Sequence, residues 1–282
     1  MAIAATLSTI LLSTHAFANS EIISDAMDSD VLKKEIRMKV YLPEGYEDSG
    51  KSYPVVYMLH GAESDETSWV DRGGIKVTAD ALIQRGQLRS SIIVMPTLGK
   101  NSWYIDGNSD RAEAALIKDL IPYIEEKYKA SSERNGRSIA GLSMGGYGAL
   151  NLSLSHPDLF CAAGILSPAI YNPLPPETSA SRTAPQFLKD NIFDEKMWTE
   201  SLYPARLEHY KESGTVVPMW IESGDHDALG IVVAAADLYW ALHKYQPENI
   251  EYRVVDGDHD WMVFRDSSIR ALPYMSQKCD AK

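Results

Sequence analysis

The residues with the most chemical content in this sequence are a serine set between two glycines, Gly141-Leu142-Ser143-Met144-Gly145. The preceding Arg137-Ser138-Ile139-Ala140 reads as a strand, and the following Gly146-Tyr147-Gly148-Ala149-Leu150-Asn151-Leu152 as a helix. Strand, Gly-x-Ser-x-Gly, helix is the pattern of a nucleophile elbow. A chain that reverses from strand to helix within about two residues strains the backbone of the serine. Side chains two residues before and after it would collide, and Gly141 and Gly145 carry none. The Ser143 hydroxyl would then stand clear of the backbone at the positive end of a helix.

A serine hydroxyl is a weak nucleophile near neutral pH. It needs a histidine to take its proton and a carboxylate to orient that histidine. After such an elbow the order along the chain is serine, acid, histidine. His209 and His243 fall in helical patterns, and His156 sits in a turn before Pro157. That leaves His226 and His259. The stretch Val254-Val255-Asp256-Gly257-Asp258-His259-Asp260-Trp261 ends a β-branched run and opens an amphipathic one. His259 is therefore expected on the loop after the last strand, as the base. The acid is sought in Met219-Trp220-Ile221-Glu222-Ser223-Gly224-Asp225-His226-Asp227, another strand end, which offers Asp225 and Asp227.

The developing oxyanion needs two backbone N–H donors. One is expected from Met144, the residue after the nucleophile. The other should come from the loop after an earlier strand. Tyr53-Pro54-Val55-Val56-Tyr57-Met58-Leu59 reads as a buried strand that ends in His60-Gly61-Ala62, which points to the N–H of Ala62. His60 precedes the serine and is read as shaping this loop. Trp103, Tyr104 and Trp261 are expected to line the mouth of the site as substrate-binding residues.

These groups need a scaffold that delivers them to one edge. Glu35 to Leu42 alternates at period two, and Ser91 to Met95, Ala162 to Leu166, Val216 to Ile221 and Ile250 to Val255 read as further strands. Between them, Thr78 to Leu88, Ala112 to Tyr128 and Ile231 to His243 read as helices, with Pro122 kinking or dividing the second. Strands alternating with helices predict an α/β fold: a mostly parallel central sheet with helices on both faces. A Pro-rich insertion at about 167–207, with Phe187, Phe193 and Trp198 interleaved, is expected to wall the substrate pocket.

The chain resembles the esterase D and feruloyl esterase-like group of α/β-hydrolases, which includes enterochelin esterases and mycolyltransferases. The resemblance covers roughly residues 35 to 275. It is carried by Leu59-His60-Gly61, Asn101-Ser102-Trp103-Tyr104, Leu120 to Glu125, Gly141 to Gly146, His156-Pro157-Asp158-Leu159-Phe160 and Gly257-Asp258-His259-Asp260-Trp261. It implies the α/β-hydrolase fold and esterase chemistry. The group's Gly-x-x-Asp pattern, matched by Gly224-Asp225-His226-Asp227, implies Asp227 as the acid. Many relatives continue after His-Gly with glycines, whereas this chain has Ala62-Glu63-Ser64-Asp65-Glu66.

Length and charge bound the rest. The 282 residues suit one domain over 19–282. The net charge of −12 disfavours nucleic acid and anionic membranes as partners. No apolar run reaches the roughly 18 residues of a membrane span. Residues 1–18 carry no charged side chain and end in Ala16-Phe17-Ala18, which reads as a signal peptide cut after Ala18 and predicts a periplasmic or secreted protein. Export would permit a bond between Cys161 and Cys279, whose pairing the spacing leaves open.

The expectation is an exported serine esterase that needs no metal or organic cofactor. Its substrate would be a small-molecule or carbohydrate-linked ester. Acyl transfer of the mycolyltransferase type keeps the same acyl-enzyme and is the alternative. The repeat of Gly-Asp-His-Asp at 224–227 and 257–260 raises a metal-dependent hydrolase as another, and a non-catalytic binding protein as a third.

Overall fold

Apolar alternation along the third strand shows how the layers form. Val55, Tyr57 and Leu59 enter one core, and Val56 and Met58 enter a second on the opposite face. Successive side chains of a strand point to opposite faces, so a strand apolar throughout must be covered on both. The computed structural model describes residues 19–46, 50, 52–107 and 110–280. The expected leader at 1–18 lies outside the described residues.

In chain order the elements are β1 (Glu21–Ser29), β2 (Lys34–Leu42), β3 (Val55–Leu59), α1 (Ser68–Asp71), α2 (Ile75–Gln84) and β4 (Ile92–Thr97). Next come α3 (Ala112–Ala115), α4 (Ile121–Lys127), β5 (Arg137–Leu142), α5 (Met144–Ser155) and β6 (Ala163–Leu166). A small hairpin of β7 (Leu188–Lys189) and β8 (Ile192–Phe193) is followed by α6 (Glu195–Ser201) and α7 (Pro204–Glu212). The chain closes with β9 (Met219–Gly224), α8 (Ile231–His243), β10 (Ile250–Val255) and α9 (Trp261–Asp280).

Eight strands form one sheet in the order β1-β2-β4-β3-β5-β6-β9-β10. The β1–β2 and β2–β4 pairs are antiparallel, and every pairing from β4 to β10 is parallel. The mostly parallel sheet covered on both faces is thus the α/β architecture the sequence predicts. All the parallel strands end at the same edge, so the loops after β3, β5, β9 and β10 meet there.

Two element boundaries shift for local reasons. α2 begins at Ile75 rather than Thr78, because Gly74 takes the left-handed conformation (φ 59°) just before it. The break expected at Pro122 appears upstream as a π-helical turn over Leu116–Leu120, after which α4 restarts with Pro122 in its first turn. The wider turn takes up the proline ring, which has no N–H to donate and would crowd the carbonyl of the preceding turn.

α9 is fastened to the sheet at several points. Glu222 of β9 is fully buried. Its carboxylate is paired with the Arg270 guanidinium and accepts hydrogen bonds from the Ser267 hydroxyl (2.7 Å) and the Trp220 indole (2.9 Å). A buried charge is tolerated only with such partners. At the far end Cys279 forms a disulfide with Cys161, just before β6, with Cα atoms 5.1 Å apart. The helix whose first turn follows the His259 loop is therefore held along its length.

Candidate active site

β5 hands the chain to α5 through one residue. Ser143 has φ 54° and ψ −117°, outside the common regions for a residue with a side chain. A Cβ on Gly141 would strike the Gly145 carbonyl, and one on Gly145 would strike the Leu59 carbonyl. Both glycines are therefore required by close approach. The strained serine is held from three sides. Its N–H donates to the Leu166 carbonyl (3.0 Å), and its carbonyl accepts from Ala169 (3.1 Å) and Tyr147 (2.9 Å).

His259 reaches this serine from the loop after β10. Its Nε2 lies 2.9 Å from the Ser143 hydroxyl, and its Nδ1 lies 2.8 Å from Oδ2 of Asp227. A carboxylate only accepts, so Nδ1 carries the proton and Nε2 is left to accept from the serine. The Asp227 side chain is fully buried, and its other oxygen accepts the Leu229 N–H at 2.9 Å. Phe264 packs edge-on against the imidazole, with ring centres 5.0 Å apart.

Asp225 lies outside this chain of bonds. Its carboxylate accepts the Gly257 N–H (3.1 Å) and pairs with Nδ1 of His226 (2.8 Å). The Gly257 hydrogen bond holds its carboxyl below the usual range. Asp225 therefore fastens the His259 loop, whereas Asp227 touches the imidazole. The two Gly-Asp-His-Asp copies do face one another, but their histidines diverge. His226 turns to Asp225 and Asp256 on the exposed surface, the grouping there whose donor atoms come within 4.8 Å of one another. His259 points inward to Ser143.

The loop after β3 arrives opposite. Glu63, in the stretch that lacks the glycines of many relatives of the resembled group, takes the left-handed conformation (φ 57°). Its N–H donates to the Lys100 carbonyl at 2.8 Å, which takes it out of the site. The N–H groups of Ala62 and Met144 meet no acceptor among the described residues. Ala62, Ser143 and His259 all line one cavity of about 310 Å³.

The aromatic expectations divide. Trp261 lines the cavity and packs edge-on against Trp69 (5.4 Å). Trp103 also lines it, although only 1% of its surface is exposed. Its indole donates to Asn101 (2.7 Å), and its ring joins Tyr147, Phe187 and Trp198. Tyr104 is not at the mouth. It is fully buried and its hydroxyl meets the backbone of His60, because the left-handed conformation at Trp103 and Tyr104 (φ 53° and 54°) turns the chain inward.

The segment 167–207 supplies one wall of the cavity through Ala169, Tyr171, Thr178, Ser179 and Ala180. Sequence reasoning marked this segment but named none of these five. It also missed Phe264 and the exposed Arg72, which line the same cavity. The spacing of Phe264, five residues after His259, was the available signal for the first. Nothing in the sequence marks Arg72.

Comparisons with known proteins bear on what such a site does. The sequence model of the esterase family matches residues 29–275. A solved structure of a ferulic acid esterase superposes with a TM-score of 0.80 at 30% identity, over 93% of this chain and 99% of that one. An endo-1,4-beta-xylanase/feruloyl esterase of Xylanibacter ruminicola is 34% identical over 142 residues, 48% of this chain, and the match spans 20% of that protein's length. An acetyl esterase of Caldicellulosiruptor saccharolyticus is 23% identical over 89% of this chain and 97% of its own length.

Proposed function

The chain belongs to the esterase family, and from that premise we propose that it is an exported serine esterase working through an acyl-enzyme on Ser143. The observation that carries this reading is the unbroken line of hydrogen bonds from the Ser143 hydroxyl through His259 to Asp227, opening on a cavity.

Ser143 attacks the ester carbonyl while Nε2 of His259 removes its proton. The charge that appears on the imidazole is stabilised by the buried Asp227 carboxylate, which also holds the reactive tautomer. The tetrahedral oxyanion is received by the N–H groups of Met144 and Ala62, the first aided by the positive end of α5. Collapse expels the alcohol, protonated by His259. Water then adds to the acyl carbon as His259 takes its proton. This second tetrahedral intermediate collapses by breaking the bond to the Ser143 oxygen, which His259 reprotonates as the acid leaves.

Aromatic walls from Trp103, Tyr171 and Trp261, with hydroxyls on Thr178 and Ser179, suit an acyl group that is flat and carries polar substituents. A feruloyl ester fits that description, in line with the ferulic acid esterase likeness. A smaller acyl group, as on the substrate of an acetyl esterase, also fits the space. Export is supported by the charge-free leader and by the disulfide, which persists in oxidising compartments.

Incubating the protein with short-chain p-nitrophenyl esters and methyl ferulate, with and without a serine-reactive phosphonate, tests this reading. Hydrolysis lost on formation of a Ser143 adduct is the expected result. Hydrolysis that survives phosphonylation of Ser143 contradicts it.

A further inference from the structure

Tyr104, buried and away from the cavity, makes an unusual pair of contacts. Its hydroxyl accepts the N–H of His60 at 3.1 Å and lies 3.3 Å from the carbonyl of the same residue, to which it donates. β3 leaves its ladder with β5 at Leu59, paired with Gly141. His60 is the first residue past that point, so its backbone has no strand to bond. One phenol supplies both missing partners, and a hydroxyl has the donor and acceptor capacity to do so.

The His60 ring continues the connection. It is 1% exposed, and burial holds its pKa below the ordinary value, so the ring stays neutral. Nδ1 lies 2.7 Å from the Gly61 carbonyl. A carbonyl only accepts, so Nδ1 is the protonated nitrogen. The Gly61 carbonyl and the Ala62 N–H belong to one planar trans peptide and point in opposite directions. Anchoring the carbonyl to His60 therefore aims the Ala62 N–H the other way.

Tyr104 also touches the second half of the site. A Cβ on Gly148 would lie 2.6 Å from the Tyr104 Cβ and ring, so that glycine exists to admit the tyrosine. Gly148 is one turn into α5, whose first residue is Met144. The ring is thus seated between the helix that carries one oxyanion donor and the loop that carries the other. Its own backbone is strained (φ 54°), as is that of Trp103 (φ 53°), and such strain persists only where the surroundings enforce it.

We propose that Tyr104 is a positioning residue for the oxyanion hole, which sets the aim of the Ala62 N–H and its spacing from the Met144 N–H. The inference rests on the esterase reading above. It predicts a defect in the transition state and little change in ground-state binding. Deleting one oxyanion donor outright costs roughly 10²–10³ in kcat, so a donor left in place but misaimed should cost less.

The test is Tyr104→Phe, with kcat measured per phosphonate-titrated active site, KM, and the Ki of phenylboronic acid, whose serine adduct carries a tetrahedral oxygen. The expected result is a fall in kcat of about ten- to a hundredfold, a matching rise in Ki, and KM within about twofold of wild type. A role confined to stability would lower Tm and the titratable fraction but leave all three constants unchanged, and that result overturns the proposal. Should Tyr104→Phe fail to fold, Gly148→Ala displaces the intact phenol from the other side and is read in the same way. Wild-type protein that hydrolyses no ester overturns the esterase reading. Active wild type with indistinguishable variants overturns the positioning role alone.

Discussion

Asp227 and Asp225 lie two residues apart on one loop and face opposite ways. Asp227 is buried with Oδ2 2.8 Å from the His259 imidazole. Asp225 is half-exposed and accepts the Gly257 N–H. Substituting the two therefore separates the contact to the His259 imidazole from the tether of its loop.

Asp227→Asn should lower kcat by about 10³–10⁴, because an amide in place of the acceptor favours the wrong imidazole tautomer. Asp225→Asn should cost less than about tenfold, since it weakens one exposed hydrogen bond that fastens the loop. Steady-state hydrolysis of a p-nitrophenyl ester measures both. Equal losses would mean that the loop, not the carboxylate contact, is what matters.

The Cys161–Cys279 bond closes a separation of 118 residues and ties the end of α9 to the start of β6. Replacing both cysteines by alanine should lower unfolding stability by about 2–5 kcal/mol. Because Glu222 and Arg270 still fasten the middle of α9, turnover at 25 °C should stay near wild type. Urea unfolding beside an activity assay checks this. Lost turnover in a folded variant would show that the His259 loop depends on the bond.

Acid sensitivity has a named contributor in β1. Burial alone would raise the Asp25 carboxyl, but hydrogen bonds from Lys127, Tyr128 and Tyr123 outweigh it and bring the pKa down to about 2. A carboxyl lowered in the folded state stabilises above its unfolded value, near 3.9. That stabilisation is lost as pH falls through the folded value. Asp25→Asn should therefore be less stable than wild type at pH 7, with the gap closing between about pH 4 and pH 2. Urea midpoints measured across this range test the sign, and a gap that is unchanged at pH 2 contradicts it.

The parts of the site legible in the sequence are those fixed by local geometry. Gly141 and Gly145 are required within five residues of chain by the elbow itself. His259 was found because a β-branched run ends just before it. Asp227 against Asp225 was not decided by residues alone, since both follow β9 and only the three-dimensional loop gives one of them to His259. The misplacement of Tyr104 has a similar cause. A position after β4 suggests the mouth of the site, but two consecutive left-handed residues without glycine leave no mark in composition, and they turn the ring inward. The disulfide depends on two ends brought together by the whole sheet. The cavity wall at 169–180 comes from an irregular segment that no periodicity describes.

The central claim is that Ser143 is the nucleophile, and Ser143→Ala tests it most directly. Ester turnover by that variant, checked for a wild-type unfolding curve, should fall by at least about 10³-fold, with no phosphonate adduct detectable by mass spectrometry on the peptide containing residue 143. Turnover close to wild type in the folded variant, or a phosphonate adduct on another serine that abolishes activity, would contradict it.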